Sequence, residues 1–270
     1  MSNNENEKLI NREDMPTGSY ETTIRPIFAE FVGVCLFVFI GCMASQNELL
    51  TAVALAHGLT IALLIIGVGP LSGGHFNPAV TLGVTLAGAI KPVLALGYFV
   101  AQLLGGLLGA AFVRAVLPSS IYMTIKGGIH SLGTGVDPGW AIIGEVILTT
   151  VLVFTVLMSA VNSTTKSSLA PLAIGFAVAV DIMSGGPTTG ASMNPARALG
   201  PAVVSYAVVS GSFNNHYVWW VGPLLGGLVA GLLYRVYVFS RIENKGERER
   251  EGVEEIWIMT TNLMDQFRHN

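Results

Sequence analysis

The stretch SGGHFNPAV at residues 72–80 decides the fold, because it returns 117 positions later as TGASMNPAR at residues 189–197. Each copy centres on an Asn-Pro-Ala box, Asn77-Pro78-Ala79 and Asn194-Pro195-Ala196. Asn favours the N-cap and Pro the first position of a helix, so each box predicts a helix start. The apolar pieces that follow, 78–87 and 195–204, are too short to cross a bilayer. We expect two half-helices that point their positive N-termini at one shared point inside a membrane protein.

The composition supports a membrane protein. Of the 270 residues, 51% are hydrophobic and only 11% are charged, whereas soluble domains carry about 25% charged residues. The charges concentrate in residues 1–25 and 241–270, which we interpret as polar tails around a membrane domain at 26–240. The formal net charge is −3 without a basic block in the apolar part, so nucleic acid is not an expected partner.

Neither a cofactor nor a metal site is expected. Cys35 and Cys42, the two cysteines, lie seven residues apart on one predicted helix, roughly 10 Å along its axis, too far for a disulfide. They also do not form a zinc cluster with other ligands. No nucleophile–base pair stands out, so the sequence does not indicate an enzyme.

Six segments have the length and apolarity of membrane spans, for which about 20 residues are needed. The fifth is short, and its limits are open. The predicted spans are 27–44, 51–69, 93–117, 140–161, 169–184 and 217–240.

The distribution of Lys and Arg predicts the orientation of these spans. Eleven of these residues fall on the side of the two termini, and only Arg114 and Lys126 fall on the other side. We therefore expect both termini in the cytoplasm. Arg197 belongs to neither group, because it follows the second box inside the predicted membrane region.

The two halves of the membrane domain repeat each other, at about 26–117 and 140–240. LLGGL at 103–107 reappears at 224–228, and single carboxylates, Glu30 and Glu145, occupy the first and fourth spans. Because each half has three spans, the second half must enter the membrane inverted. One box then enters from the cytoplasm and the other from outside, and they meet near the midplane. The predicted fold is all-α, with six transmembrane helices and two re-entrant half-helices in an inverted repeat.

These motifs resemble the aquaporin, or major intrinsic protein, family over roughly residues 24–240. The phrases GGHFNPAV at 73–80 and VDI at 180–182 are most similar to the aquaporin-8 type, which is associated with water and ammonia. The resemblance implies a passive channel in the lipid bilayer that excludes ions and protons. It also implies a homotetramer with one pore in each subunit.

The resemblance implies roles for individual residues. Asn77 and Asn194 would offer amide hydrogens to passing water, and Arg197 would supply donors and positive charge at the outer constriction. His57, Ile182 and Ala191 would complete that constriction, where narrow water-specific members have Phe, His and Cys. The opening should then be wider and more apolar, which suits ammonia as well as water, with hydrogen peroxide as a further candidate.

Four other polar residues have predicted or open roles. Glu30 and Glu145 are expected to be hydrogen-bonded because they are single carboxylates in apolar spans. The resemblance implies that each holds one loop by accepting backbone hydrogen bonds, and a proton relay is the alternative. His75 would lie at the cytoplasmic mouth, either as a pH-sensitive gate or as a residue that stabilises the loop. Asp181 points about 100° away from Ile182 around the helix. It could anchor a loop or contact a neighbouring subunit.

Two other functions remain open. Glycerol-conducting relatives usually carry Asp after the second box and its Arg, where this chain has Ala198. A secondary transporter would need ligands for a coupling ion near the midplane, and the only candidates are Glu30, Glu145 and Asp181. The tail after residue 240 contains Ile256-Trp257-Ile258-Met259, a candidate amphipathic segment.

Overall fold

The computed structural model describes residues 18–237, and all regular structure in this part of the chain is helical. We number the eight principal helices in chain order. They are α1 Arg25–Ala44, α2 Leu50–Gly67, α3 Pro78–Leu86, α4 Pro92–Val116, α5 Pro138–Val156, α6 Ala170–Thr189, α7 Pro195–Ser205 and the described part of α8, Val218–Tyr237. The predicted segment 256–259 and most of both tails lie outside the described residues.

Six of these helices are long and apolar enough to cross a membrane. With the π-helical turns Tyr20–Ile24 and Leu157–Val161 that extend α1 and α5, they have 18 to 25 residues. Helices α3 and α7, with 9 and 11 residues, are the two half-helices. This arrangement confirms the predicted fold.

The fifth span is longer than predicted. The sequence estimate stopped at residue 184, before Gly185, Gly186 and Pro187, but α6 continues to Thr189. Proline inside a helix removes one backbone hydrogen bond and is tolerated where neighbouring helices support the turn. The helix ends at Gly190, whose φ of 79° is in the left-handed region that glycine adopts readily.

Each half-helix packs against a long helix of the opposite half of the chain. A Cβ on Gly106 of α4 would come 2.5 Å from the carbonyl oxygen of Ala196, at the start of α7. A Cβ on Gly227 of α8 would come equally close to the carbonyl oxygen of Ala79, at the start of α3. Only glycine permits this approach at either place. The repeated LLGGL motif therefore seats the half-helices, and the two halves are interleaved.

Arg235 of α8 is an exposed residue that contacts the end of the first half-helix. Its Nε donates to the carbonyl oxygen of Leu86, at the end of α3. The last carbonyls of a helix lack intrahelical partners and carry partial negative charge, which a guanidinium neutralises. The first half-helix is thus capped at both ends by polar side chains.

Candidate functional site

The two Asn side chains meet at the centre of the molecule and brace the loops against each other. Nδ2 of Asn77 donates to the carbonyl oxygen of Met193 at 2.8 Å, and Nδ2 of Asn194 donates to the carbonyl oxygen of Phe76 at 2.9 Å. Each side-chain oxygen accepts from the first turn of its own half-helix, at Ala79 for Asn77. An Asn amide has two N–H groups, so one on each side chain remains for another partner.

The residue before each Asn has an unusual backbone conformation. Phe76 has a φ of 48° and Met193 a φ of 53°, both in the left-handed region that side chains with a Cβ rarely adopt. Such residues cost of order 1–3 kcal/mol each and persist where the surroundings hold them. The carbonyl oxygens of these same two residues accept the Asn–loop hydrogen bonds, so the brace and the strained backbone are parts of one arrangement.

Glu30 holds the first loop. Its Oε1 accepts from the Ser72 hydroxyl at 2.6 Å and from the His75 amide at 2.9 Å. Its Oε2 accepts from the Phe76 amide at 2.6 Å and from Nε2 of Gln102 at 2.8 Å. Four hydrogen-bond donors compensate for the burial of this carboxylate, and the loop cannot shift without losing these bonds.

Glu145 holds the second loop through the corresponding bonds. Its Oε1 accepts from the Thr189 hydroxyl at 2.7 Å and from the Ser192 amide at 2.9 Å, and its Oε2 accepts from the Met193 amide at 2.8 Å. Position by position, these donors repeat those at Glu30. The fourth donor has no counterpart, because Pro223 occupies the place in α8 that Gln102 occupies in α4.

A continuous cavity of about 230 Å³ passes between the two Asn boxes. One end, which we call the first mouth, is lined by Ile65, Gly74 and His75; the other, the second mouth, is lined by Ser45, Leu50, Ser131 and Gly186. Asn77 and Asn194 lie between the mouths. One wall consists of apolar side chains, including Ile61, Val80, Leu152, Val156, Ile174 and Val178. A path with one apolar and one polar wall lets a small solute pass without trapping it in hydrogen bonds.

Near the second mouth the cavity is lined by the four residues assigned to the constriction, His57, Ile182, Ala191 and Arg197. All four are buried, and Arg197 is only 5% exposed. Nη1 of Arg197 donates to the carbonyl oxygen of Gly128 at 2.8 Å, and its Nε faces Nε2 of His57 at 3.5 Å. These contacts aim the guanidinium along the cavity wall instead of toward bulk solvent.

His57 has a defined tautomer in this arrangement. Its Nδ1 lies 2.8 Å from the carbonyl oxygen of Val53, which can only accept, so Nδ1 carries the hydrogen. Nε2 therefore presents a lone pair to the guanidinium. These four residues combine one cationic donor group, a neutral imidazole that accepts from it, and an apolar side, which Ile182 and Ala191 provide.

His130 also lines the cavity, and the sequence reasoning missed it. It follows Gly128 in the loop between α4 and α5, and its ring packs on Trp219 with 5.7 Å between centroids. Its Nδ1 is buried and has no hydrogen-bond partner within residues 18–237. Burial, together with nearby Arg197, holds the pKa of His130 well below its ordinary value. The position has no counterpart in the repeat, so no sequence signal distinguished it.

Asp181 does not follow either sequence interpretation. It is only 3% exposed, so it presents no surface to a neighbouring subunit, and in the described chain its Oδ2 has no hydrogen-bond partner in a loop or elsewhere. Nothing in the structure explains this residue. No group of three or more His, Cys, Asp or Glu side chains in the described part of the chain could hold a metal ion.

Comparisons with known proteins agree with this geometry. The family model described as Major intrinsic protein matches residues 18–234. Aquaporin-8 of Mus musculus is 45% identical over 224 residues, covering 81% of this chain and 84% of that relative. Aquaporin TIP2-1 of Arabidopsis thaliana is 37% identical, covering 78% of this chain and 86% of that relative. The X-ray structure of the aquaglyceroporin from Plasmodium falciparum superposes with a TM-score of 0.69 at 25% identity, covering 78% of this chain and 95% of that one.

Proposed function

The chain belongs to the major intrinsic protein family, and from this premise we propose that it conducts ammonia as well as water. It is an integral, multi-pass membrane protein and a passive channel for water and small solutes, and it is not an enzyme. The observation that carries the ammonia proposal is the composition of the constriction. Ile182 presents an alkyl group there, beside the polar pair His57 and Arg197.

Ammonia has one lone pair and three N–H groups, so a strong donor can hold it through the lone pair. Arg197 has five N–H groups, of which the bonds to Gly128 and His57 use two. The remaining three can donate to the nitrogen of ammonia or to the oxygen of water. Nε2 of His57 has a single lone pair, which faces Nε of Arg197, so it orients the guanidinium and does not bind the solute. Ile182 has an alkyl side chain, so it forms no hydrogen bond that would favour water over ammonia. Hydrogen peroxide, which bonds much as water does, is a further candidate.

Exclusion of ions follows from the positive charge along the cavity. The N-termini of α3 and α7 meet at the Asn pair, and each carries about half a positive charge. Arg197 adds a full charge nearer the second mouth. We infer that cations are repelled at both places. Asn77 and Asn194 would orient a passing water through their remaining N–H groups, which interrupts a proton wire.

For the arrangement in the membrane, we propose that the first mouth, with His75, faces the cytoplasm and that both termini lie on the same side. The excess of Lys and Arg on that side supports this orientation. We also propose a homotetramer with one pore in each subunit, on the basis of the family resemblance. Chemical crosslinking in native membranes tests the tetramer, and labelling of an introduced cysteine near residue 166 tests the orientation.

Glycerol is the second candidate solute, because the aquaglyceroporin structure resembles this chain over most of its length. Stopped-flow measurements on proteoliposomes under water, ammonia and glycerol gradients separate these possibilities. We expect fast water and ammonia flux and slow glycerol flux. Ammonia flux no faster than in protein-free vesicles would overturn the proposal.

Ile182→His tests the constriction itself. The imidazole narrows the opening and replaces its apolar side with a group that bonds water well, so ammonia flux should fall more than water flux. Ile174→His is the matched control, because Ile174 lines the same cavity two helical turns away. An equal loss of both fluxes in Ile182→His would contradict the assignment of this residue to selectivity.

A further inference from the structure

A chain of three polar side chains leads from α4 to the first mouth. Nε2 of Gln102 lies 2.8 Å from Oγ1 of Thr81 on α3, and Oγ1 of Thr81 lies 3.1 Å from Nδ1 of His75. Gln102 is completely buried and Thr81 nearly so, whereas His75 lines the cavity. The direction of the hydrogen bonds along this chain determines which nitrogen of His75 carries its hydrogen.

The orientation of the Gln102 amide is determined by Glu30. Nε2 of Gln102 also lies 2.8 Å from Oε2 of Glu30. A flipped amide would place Oε1 of Gln102 against this carboxylate, with two acceptors in contact. The NH₂ group therefore faces both neighbours, and its two hydrogens go to Glu30 and Thr81. Thr81 must accept from Gln102.

Thr81 is then left with one hydroxyl hydrogen to donate. Thr85, one turn along α3, donates its hydroxyl to a backbone carbonyl of its own helix, that of Thr81, at 2.6 Å. Thr81 makes no such bond in the described chain, and Nδ1 of His75 is the acceptor within its reach. The hydroxyl therefore donates to Nδ1, and the hydrogen of a neutral His75 sits on Nε2.

The second half of the channel shows that Gln102 and Thr81 are not needed to hold a loop. In the aligned repeat, Ser192, Ala198 and Pro223 stand where His75, Thr81 and Gln102 stand in the first half. Glu145 nevertheless anchors the second loop through the same three loop donors as Glu30. The polar pair thus occurs in the half that has a histidine at the mouth, and it is missing from the half that has none.

We propose that Gln102 and Thr81 are positioning residues that hold His75 in its neutral form with the hydrogen on Nε2, so that the first mouth keeps an uncharged donor through mild acidification. Protonation would place a hydrogen on Nδ1. The Thr81 hydroxyl would then have to turn away and lose this acceptor. The proposal rests on the proposed channel function only where solute flux is the readout.

The other groups around His75 act in opposite directions. Burial lowers the pKa of His75, and the nearby Glu30 carboxylate raises it. Tyr98 of α4 packs its ring edge-on against His75 with 5.2 Å between centroids and donates its hydroxyl to the carbonyl oxygen of Ser72. Glu30 and Tyr98 are the titratable groups near His75 in residues 18–237. Glu30 favours the charged imidazole, whereas burial and the bond from Thr81 both oppose it.

Nitrogen NMR of the full-length channel in nanodiscs, with ¹⁵N-labelled histidine, tests the tautomer directly. His75→Asn identifies the His75 signals among the five histidines. We expect the Nε2–H tautomer at pH 7 and no imidazolium at pH 5.5. Thr81→Val should give a mixture of tautomers and an imidazolium signal at pH 5.5, Thr81→Ser should restore the original spectrum, and Thr85→Val should leave it unchanged. An Nδ1–H tautomer in the natural protein, or no change in Thr81→Val, would overturn the proposal.

Water flux over pH 5.5 to 8 tests the consequence. The natural channel should vary less than twofold, and Thr81→Val should change more than threefold between the ends of this range. The added pH dependence should disappear in Thr81→Val/His75→Asn. If Thr81→Val does not fold, Gln102→Leu serves instead, since it frees the Thr81 hydroxyl to turn. A flat profile in folded Thr81→Val or Gln102→Leu would refute the proposal, whatever the ammonia measurements show.

Discussion

Asn194→Asp is expected to make the channel leak cations. The helix N-termini at the Asn pair together amount to about one positive charge. At a distance of about 4 Å and an effective dielectric constant of about 20, this charge repels a monovalent cation by roughly 4 kcal/mol. At 1.4 kcal/mol for each factor of ten, the barrier corresponds to about a thousandfold exclusion. An ionised Asp at the same place carries about the opposite charge and cancels it.

The control must separate the charge from the broken brace between the loops. Asn194→Asp removes the hydrogen bond to the Phe76 carbonyl but keeps an oxygen that caps α7. Asn194→Ser does the same without a charge, because Ser is also a good N-cap. Both variants lose about 1 kcal/mol of hydrogen bonding. Charge is the main difference between them, since each keeps a capping oxygen, although Ser is the smaller side chain.

The assay is sodium entry into proteoliposomes that contain a sodium-sensitive dye, normalised to the water flux of the same vesicles. Arg197 remains in both variants, so its contribution cancels in the ratio. We expect Asn194→Asp to exceed Asn194→Ser by two to three orders of magnitude, following the barrier of roughly 4 kcal/mol. Equal leaks in the two variants would refute the electrostatic explanation, because the barrier would then depend on how tightly the loops are braced.

Three further predictions concern inhibition, acid and stability. Mercurials should inhibit weakly, because Ala191 leaves the constriction without a thiol; a full block that persists after both cysteines are changed to Ser would contradict this. The pKa of His130 lies well below the ordinary 6.5, so below that pH the unfolded chain binds a proton that the folded chain does not bind. The free energy of unfolding should therefore decrease below about pH 6.5, by up to about 1.4 kcal/mol per pH unit. Melting in detergent at pH 7.5 and 5.5 should show a smaller loss in His130→Asn. Glu145→Gln places an amide NH₂ against a backbone donor and should lower the free energy of unfolding by about 2–4 kcal/mol, measured as a lower melting temperature. The control Glu48→Gln, at an exposed position, should change the melting temperature little.

The fold could be predicted because the two halves of the membrane domain carry the same motifs in the same order. Asn77 and Asn194 mark helix starts by local chemistry, and the second copy of the box turns a common N-cap into a specific pattern. Glu30 and Glu145 were recognisable because a lone carboxylate in an apolar span requires donors. Local rules of this kind predict which residues must have partners, and the family resemblance indicated that these partners lie in the two loops.

Features without a counterpart in the other half could not be predicted in this way. His130 lies in a connecting loop whose path depends on packing against Trp219. Thr81 and Gln102 read as ordinary residues of apolar helices, and only the distance between them reveals their connection. The last turn of α6 was missed because Pro187 normally argues for a helix end, and tertiary packing overrides that preference here.

The contacts between the two loops make the pore a joint product of both halves of the chain. Each half of the chain supplies the donor that completes the other half's strained turn, and each half supplies the glycine on which the other's short helix rests. Neither half on its own encloses a path through the membrane. The pore forms at the interface between the two repeated halves, so a change in one loop removes support from the other loop as well as from its own half.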